Sequence, residues 1–171
     1  MDTAIEAMAT LPVQARLELI GGWDPREEDR LRKLARQVGI EGRVDFAGQL
    51  DRSEIAAAYA RADATVFPVR WEEPWGLVPL ESMAKGRPVV ATGRGGSAEY
   101  LRDGENCLLF EAGDAQALAA AVRRLAEDPA LRMRLRDGGL ATAPTHTEGV
   151  LNEAVEQALV GAARARPAAV V

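Results

Sequence analysis

Five short apolar runs, each closed by Gly or Pro or their immediate neighbours, set the strongest limit on how this chain folds. They are Leu17–Ile20 before Gly21-Gly22, Val44–Phe46 before Ala47-Gly48, Ala64–Phe67 before Pro68, Pro88–Thr92 before Gly93, and Cys107–Phe110. Near-continuous apolar character over such short runs fits strands buried on both faces, as in a parallel sheet. Helical patterns lie between them. Glu27–Gln37 carries Leu31, Leu34 and Ala35 on one face, with Gly39 as a stop. Ser53–Ala60 opens with Ser53 as the expected N-cap, and Asp114–Leu125 opens with Asp114. A first helix is expected over Met1–Leu11, and a last one over about Glu148–Ala163, closing the fold. Strand–helix alternation predicts a Rossmann-like α/β fold, an open parallel sheet with helices on both faces and right-handed crossovers. Residues 1–165 read as one domain, and Arg166–Val171 as a flexible tail.

Composition removes several function classes. The 171 residues hold 21 Lys+Arg against 26 Asp+Glu, and a net charge of -5 leaves no basic excess for a nucleic-acid partner. Cys107 is the sole cysteine and His146 the sole histidine, so neither a disulfide nor a Cys- or His-rich metal site is available within the chain. The acidic start Met1–Glu6 lacks the pattern of a signal peptide, and no run approaches the length of a membrane span. The expectation is a cytoplasmic protein with no transmembrane segment.

Open α/β sheets bind ligands beyond the carboxyl ends of their strands. The segment Val69–Gly86 follows the third run directly. Pro74 and Gly76 delay helix formation to about Leu77, and Pro79 is tolerated in the first turn. An extended loop thus feeds a short helix whose free amides form an anion site. Gly76 carries no Cβ to obstruct a phosphate. Glu73 precedes the helix tip and Glu81 lies about one turn inside. Carboxylates beside a bound anion repel it unless they serve hydroxyls, and a nucleotide-sugar offers hydroxyls on both sides of its diphosphate. One carboxylate would take the ribose and the other the hexose; the same acids also fit ordinary helix-start chemistry.

Glu73-x7-Glu81, with Trp75-Gly76 between and Ser82–Thr92 after, resembles the donor-binding domain of the retaining GT-B glycosyltransferases of family 4, the group 1 glycosyl transferases. The resemblance extends from about Ala15 to Asp128 through Leu19–Gly22, Val44–Gly48, Ala58–Ala64, Gly95–Glu99 and Asp103–Asn106. It implies that Glu73 is catalytic, holding the transferred sugar, and that Glu81 chelates the ribose. It also implies that the backbone of Trp75, Gly76 and Leu77 meets the sugar and diphosphate, with Gly48 and Gln49 near the base. A metal-independent reaction without a cofactor is implied, transferring a hexosyl group from an NDP-sugar donor with retention. Two departures follow from the same resemblance. The family's diphosphate clamp, an Arg and a Lys around a strand ahead of the first helix, has no counterpart here, nor has the N-terminal acceptor domain with its catalytic His. The chain alone is therefore expected to show little transferase activity, needing a separate N-terminal partner. The alternative is a non-catalytic nucleotide-sugar binding or interaction module. Trp75 stands where Phe is usual, and Cys107 where Gly is frequent.

Other signals weigh less. Gly93-Arg94-Gly95-Gly96-Ser97-Ala98 matches a dinucleotide fingerprint but follows the wrong strand, so Gly95-Gly96 reads better as a tight turn beside the donor pocket. Arg70 and Arg94 are the cations nearest the proposed site in sequence. His146 reads as a surface or capping residue, Cys107 as a small core residue, and Trp23 as strand-end packing or a base stacker. Trp71 fits a sugar-pocket wall or a plug toward a partner domain. The arginines from Arg123 to Arg136 read as solvated helix faces.

Overall fold

The computed structural model describes residues 1–164, so the tail expected at 166–171 lies outside the described residues. The α/β units form where the sequence places them, with caps that fix their starts. Strand β1, Leu17–Ile20, leads to helix α2, Pro25–Gln37, whose Asp24 cap accepts the Arg26 amide at 2.7 Å. Strand β2, Val44–Gly48, leads to α3, Arg52–Arg61. Here the cap is Asp51, not Ser53. Asp51 accepts the amides of Ser53 and Glu54, and the Glu54 carboxylate accepts the Asp51 amide at 2.8 Å. This reciprocal box satisfies orphan donors at the helix start, which a cap two residues later at Ser53 would leave open.

Strand β3, Thr65–Phe67, runs into α4, Leu77–Ala84, then β4, Val89–Ala91, a 3-10 turn over Gly95–Glu99, and β5, Leu108–Leu109. All strand pairs are parallel, but the strands fall into two hydrogen-bonded sets, β1–β2 and β3–β4–β5, instead of one open sheet. Thr65 donates to Pro88 and Phe67 accepts from Thr92, so both turn their peptide groups toward β4. The alternation of a parallel ladder then points the peptide groups of Val66 at a free edge. Burial agrees: β4 is wholly buried, whereas β3 is half-buried along its length. Both sets rest on one apolar cluster that includes Leu19, Leu31, Val90, Leu108 and Leu118.

Helix α1, Asp2–Met8, buries Ile5, Ala7 and Met8 in that cluster, and Arg30 of α2 grips Asp2. Helix α5, Ala115–Glu127, is capped by Asp114 as expected. Helix α6, Pro129–Thr142, carries Arg132, Arg134 and Arg136, which read as helix residues in the sequence, but its bounds are fixed only in the structure. It starts on Asp128, which accepts the Leu131 amide at 2.9 Å, and buries Leu131 and Leu135. Its Gly138 allows contact with the Glu105 backbone, where a Cβ would lie 2.2 Å from the carbonyl oxygen. Arg132 and Arg134 lie on the solvent side of the helix and donate to the carbonyls of Ala126 and Gly104. Helix α7, Glu148–Arg164, does not close the fold: it buries no residue.

Cys107 is fully buried, and burial pushes its thiol up to about 12, so the reactive thiolate is absent at neutral pH. Alkylation at pH 8 is expected to be negligible until urea unfolds the chain, which mass spectrometry of labelled protein checks. Gly138→Ala is expected to lower the unfolding free energy by about 1–3 kcal/mol through overpacking against a backbone carbonyl. Urea denaturation followed by circular dichroism checks it.

Candidate functional site

The loops leaving the carboxyl ends of β3 and β4 are packed on one another. The Gly96 amide donates to the Glu73 carbonyl at 2.7 Å. A Cβ on Gly95 would lie 2.2 Å from that same oxygen, and one on Gly96 would lie 2.1 Å from the Pro74 oxygen. Gly95-Gly96 is therefore the seat of the 72–75 loop, in the place expected for a tight turn. Gly76 follows with φ +80°, a left-handed conformation that suits glycine. The inward side of Gly76 faces Phe67, Ser97 and the Tyr100 hydroxyl, each 3.2 Å from where a Cβ would stand. Its lack of a side chain thus serves the fold first. The buried Tyr100 hydroxyl donates to the Gly76 carbonyl.

Helix α4 starts at this turn with no side-chain cap. Among the described residues, the amides of Leu77 and Val78 have no protein acceptor, and both side chains are exposed. Pro79 has no amide to offer. Two free N–H groups and the positive end of the helix dipole therefore meet solvent at the tip. Ser82 fastens the helix to β3 through the Thr65 hydroxyl at 2.8 Å, and Met83 and Leu80 bury its other face.

The acids expected to flank this tip are held by different neighbours. Glu73 is half-buried, and its Oε2 accepts the Trp71 indole N–H at 3.0 Å. Glu81 is exposed, and its Oε2 accepts the Tyr59 hydroxyl of α3 at 3.0 Å. Burial and the Glu81 charge both push the Tyr59 phenol above its ordinary range, so it stays a donor. A shallow concavity of about 220 Å³ lies on the Glu81 side, lined by Arg52, Tyr59, Glu81 and Lys85 among others; Glu73 is not in its wall. Gly48 ends β2 at φ +70°, and its carbonyl accepts the Gly21 amide at 2.9 Å. Gln49 lays its side chain against Gly22, 3.3 Å from where a Cβ would stand. These two residues thus sit at the joined ends of β1 and β2.

Sequence reasoning missed the support behind the loop. The Trp75, Tyr100 and His146 rings form one cluster, with centroids 5.3–6.0 Å apart. His146 is half-buried: its ring packs behind the 72–75 loop, while Nδ1 lies 3.2 Å from the carbonyl of Thr142, the last residue of α6, as expected of a capping residue. No local pattern joins positions so far apart in the chain. The two cations nearest in sequence are placed unequally. Arg94 is paired with Glu72 at 2.6 Å, whereas Arg70 lies beside Gly113. Trp23 packs edge-on against Phe46 and donates to Glu28 at 3.2 Å.

The family model described as Glycosyl transferases group 1 matches residues 1–141. The chain belongs to the group 1 glycosyl transferases. A lipopolysaccharide core biosynthesis glycosyltransferase, LpsE of Rhizobium meliloti (strain 1021), is 43% identical over 140 residues, covering 82% of this chain and 39% of that protein. Among solved structures, Anabaena Alr3699/HepE in complex with UDP-glucose superposes with a TM-score of 0.85 at 28% identity, over 93% of this chain and 44% of that one. The C-terminal domain of LpcC, a glycosyl transferase group 1 family protein from Francisella tularensis, gives 0.75 at 29% identity, over 84% of this chain and 77% of that one. The chain thus spans about a quarter to two fifths of the length of the curated relatives it matches. The Rossmann-like α/β architecture expected from the sequence is the one these GT-B glycosyltransferases share. Among the described residues, no helix is long and apolar enough to cross a membrane.

In this group 1 domain, Tyr100→Phe is expected to cost about 1–3 kcal/mol of stability, because it leaves the buried Gly76 carbonyl without its donor. Thermal or urea denaturation checks it.

Proposed function

We propose that the chain is the donor-binding half of a retaining glycosyltransferase and takes a nucleoside diphosphate sugar at the tip of α4. The observation that carries this reading is the pair of free amides at Leu77 and Val78, with Glu73 before them and Glu81 behind. The diphosphate lies on the helix tip, where the amides of Gly76, Leu77 and Val78 and the dipole oppose its charge. Glu81, steadied by Tyr59, accepts the ribose hydroxyls. Glu73 accepts from hydroxyls of the transferred sugar. Gly48 and Gln49 lie on the base side. The likeness to HepE, solved with UDP-glucose, supports a nucleotide-sugar as ligand.

Transfer itself asks for more than this half presents. Separating the sugar from its diphosphate builds negative charge on the leaving phosphate, and fixed cations at that place usually dominate such catalysis. Arg94, which follows β4, is already paired with Glu72. The free edges of β3 and β1 support completion by a further strand, from an N-terminal acceptor-binding domain that brings the missing cations and the acceptor. In the completed enzyme a hexosyl group passes to the acceptor with retention at the anomeric carbon.

Calorimetry with UDP, GDP and ADP tests donor binding. One of the three is expected to bind, and Glu81→Ala is expected to weaken it about 10-fold through lost hydrogen bonds to a charged acceptor. Unchanged affinity in that variant would remove the ribose assignment. EDTA is expected to leave the affinity unaltered, since amides and carboxylate–hydroxyl bonds need no metal.

A further inference from the structure

The 69–76 loop carries two adjacent acids, and the fold treats them oppositely. Glu72 is neutralised: Arg94 Nη2 lies 2.6 Å from its Oε1. Glu73 receives no cation among the described residues. Its one side-chain partner is the indole N–H of Trp71, 3.0 Å from Oε2. Meanwhile its backbone is immobilised, with the carbonyl accepting from Gly96 at 2.7 Å and Gly95 pressed against its peptide atoms. Only the side-chain torsions of Glu73 remain to be set.

We propose that Trp71 is a positioning residue for Glu73, holding Oε2 with its indole N–H so that Oε1 is presented to the hydroxyls of the donor sugar. The inference rests on the donor-site reading above and deepens it. Indole is a donor only, so it engages the carboxylate without adding charge. An arginine there would place positive charge beside the acid, as Arg94 does at Glu72, and its five donors could compete for both oxygens. A neutral donor leaves the acceptor strength of the second oxygen largely intact. Ordering the flexible glutamate before the ligand arrives removes part of the entropy cost of binding. Trp71 is itself 63% exposed, which is unusual for a tryptophan and shows that core packing does not hold it there. Its side chain is placed by the carboxylate two residues on.

The role is specific to the sugar, which makes it separable from the nucleotide site and from folding. Affinities of the nucleotide and its sugar conjugate are measured by calorimetry for UDP and UDP-glucose, ADP and ADP-glucose, and GDP and GDP-mannose. The variants are Trp71→Phe, which keeps a ring and loses the N–H, and Trp71→Gln, which restores an N–H without the ring. For the pair that binds, Trp71→Phe is expected to leave nucleotide affinity unchanged and to weaken the sugar conjugate about 3- to 10-fold, the size of one hydrogen bond. Trp71→Gln is expected to recover part of that loss. Melting temperatures of both variants are expected to match the parent, given the exposure of Trp71. An unchanged ratio of the two affinities in Trp71→Phe would overturn the proposal, as would equal weakening of nucleotide and conjugate. Loss without rescue by Trp71→Gln would assign the effect to the ring and overturn the N–H role. If no pair binds the unaltered chain, the donor-site reading itself falls, and the inference with it. Binding with an unaltered ratio removes only the role of Trp71.

Discussion

The candidate site depends on one close approach of backbone to backbone, the Gly95-Gly96 turn pressed beneath Glu73 and Pro74. Two carbonyl oxygens occupy the volume that any side chain at those positions would need. A hydrogen bond from the Gly96 amide then fixes the loop at Glu73. Interiors at this density respond to a single methyl group, so the position of Glu73 is set by residues more than 20 positions later in the chain. From that seat the loop continues into Gly76, whose carbonyl is held by Tyr100, and α4 begins at once with its first amides free.

Each side chain around the tip then takes a partner suited to its task. A tyrosine hydroxyl meets Glu81, an indole N–H meets Glu73, and a guanidinium meets Glu72. Neutral donors sit on the two acids assigned to sugar hydroxyls, and the ion pair sits on the third. On the proposed donor-site reading, this sorting leaves charge on the two acids that would meet hydroxyl groups and offsets it on the third. The aromatic cluster of Trp75, Tyr100 and His146 backs the loop from the far side, which ties the end of α6 to the start of α4.

The division of the strands into two sets has the same bearing on function. A parallel strand with one partner keeps half of its peptide groups free, and Val66 is in that position. Helix α7, with Val155 and Leu159 exposed, likewise buries nothing against the body of the domain. The group 1 domain is thus well packed around β4 and α5 and unsatisfied along its strand edges.

Strand order of appearance, the β3-loop-α4 segment and both acids were legible in the sequence. Apolar runs and Pro/Gly punctuation are local signals, and Glu73-x7-Glu81 is a spacing along one stretch of chain. The extent of helix α6 was not, because Gly138 and Gly139 lower helix propensity while serving a contact with Glu105 and Met83 that only the fold brings about. The cap of α3 was placed at Ser53 because Ser is a good cap, yet Asp51 wins by reciprocating with Glu54. Local chemistry by itself therefore determined which acids, amides and turn residues this segment carries. Tertiary structure alone decided which of them are engaged and by what, since Tyr59, Arg94, Gly95 and Tyr100 act on Glu81, Glu72, Glu73 and Gly76 across sequence separations that no periodic pattern spans.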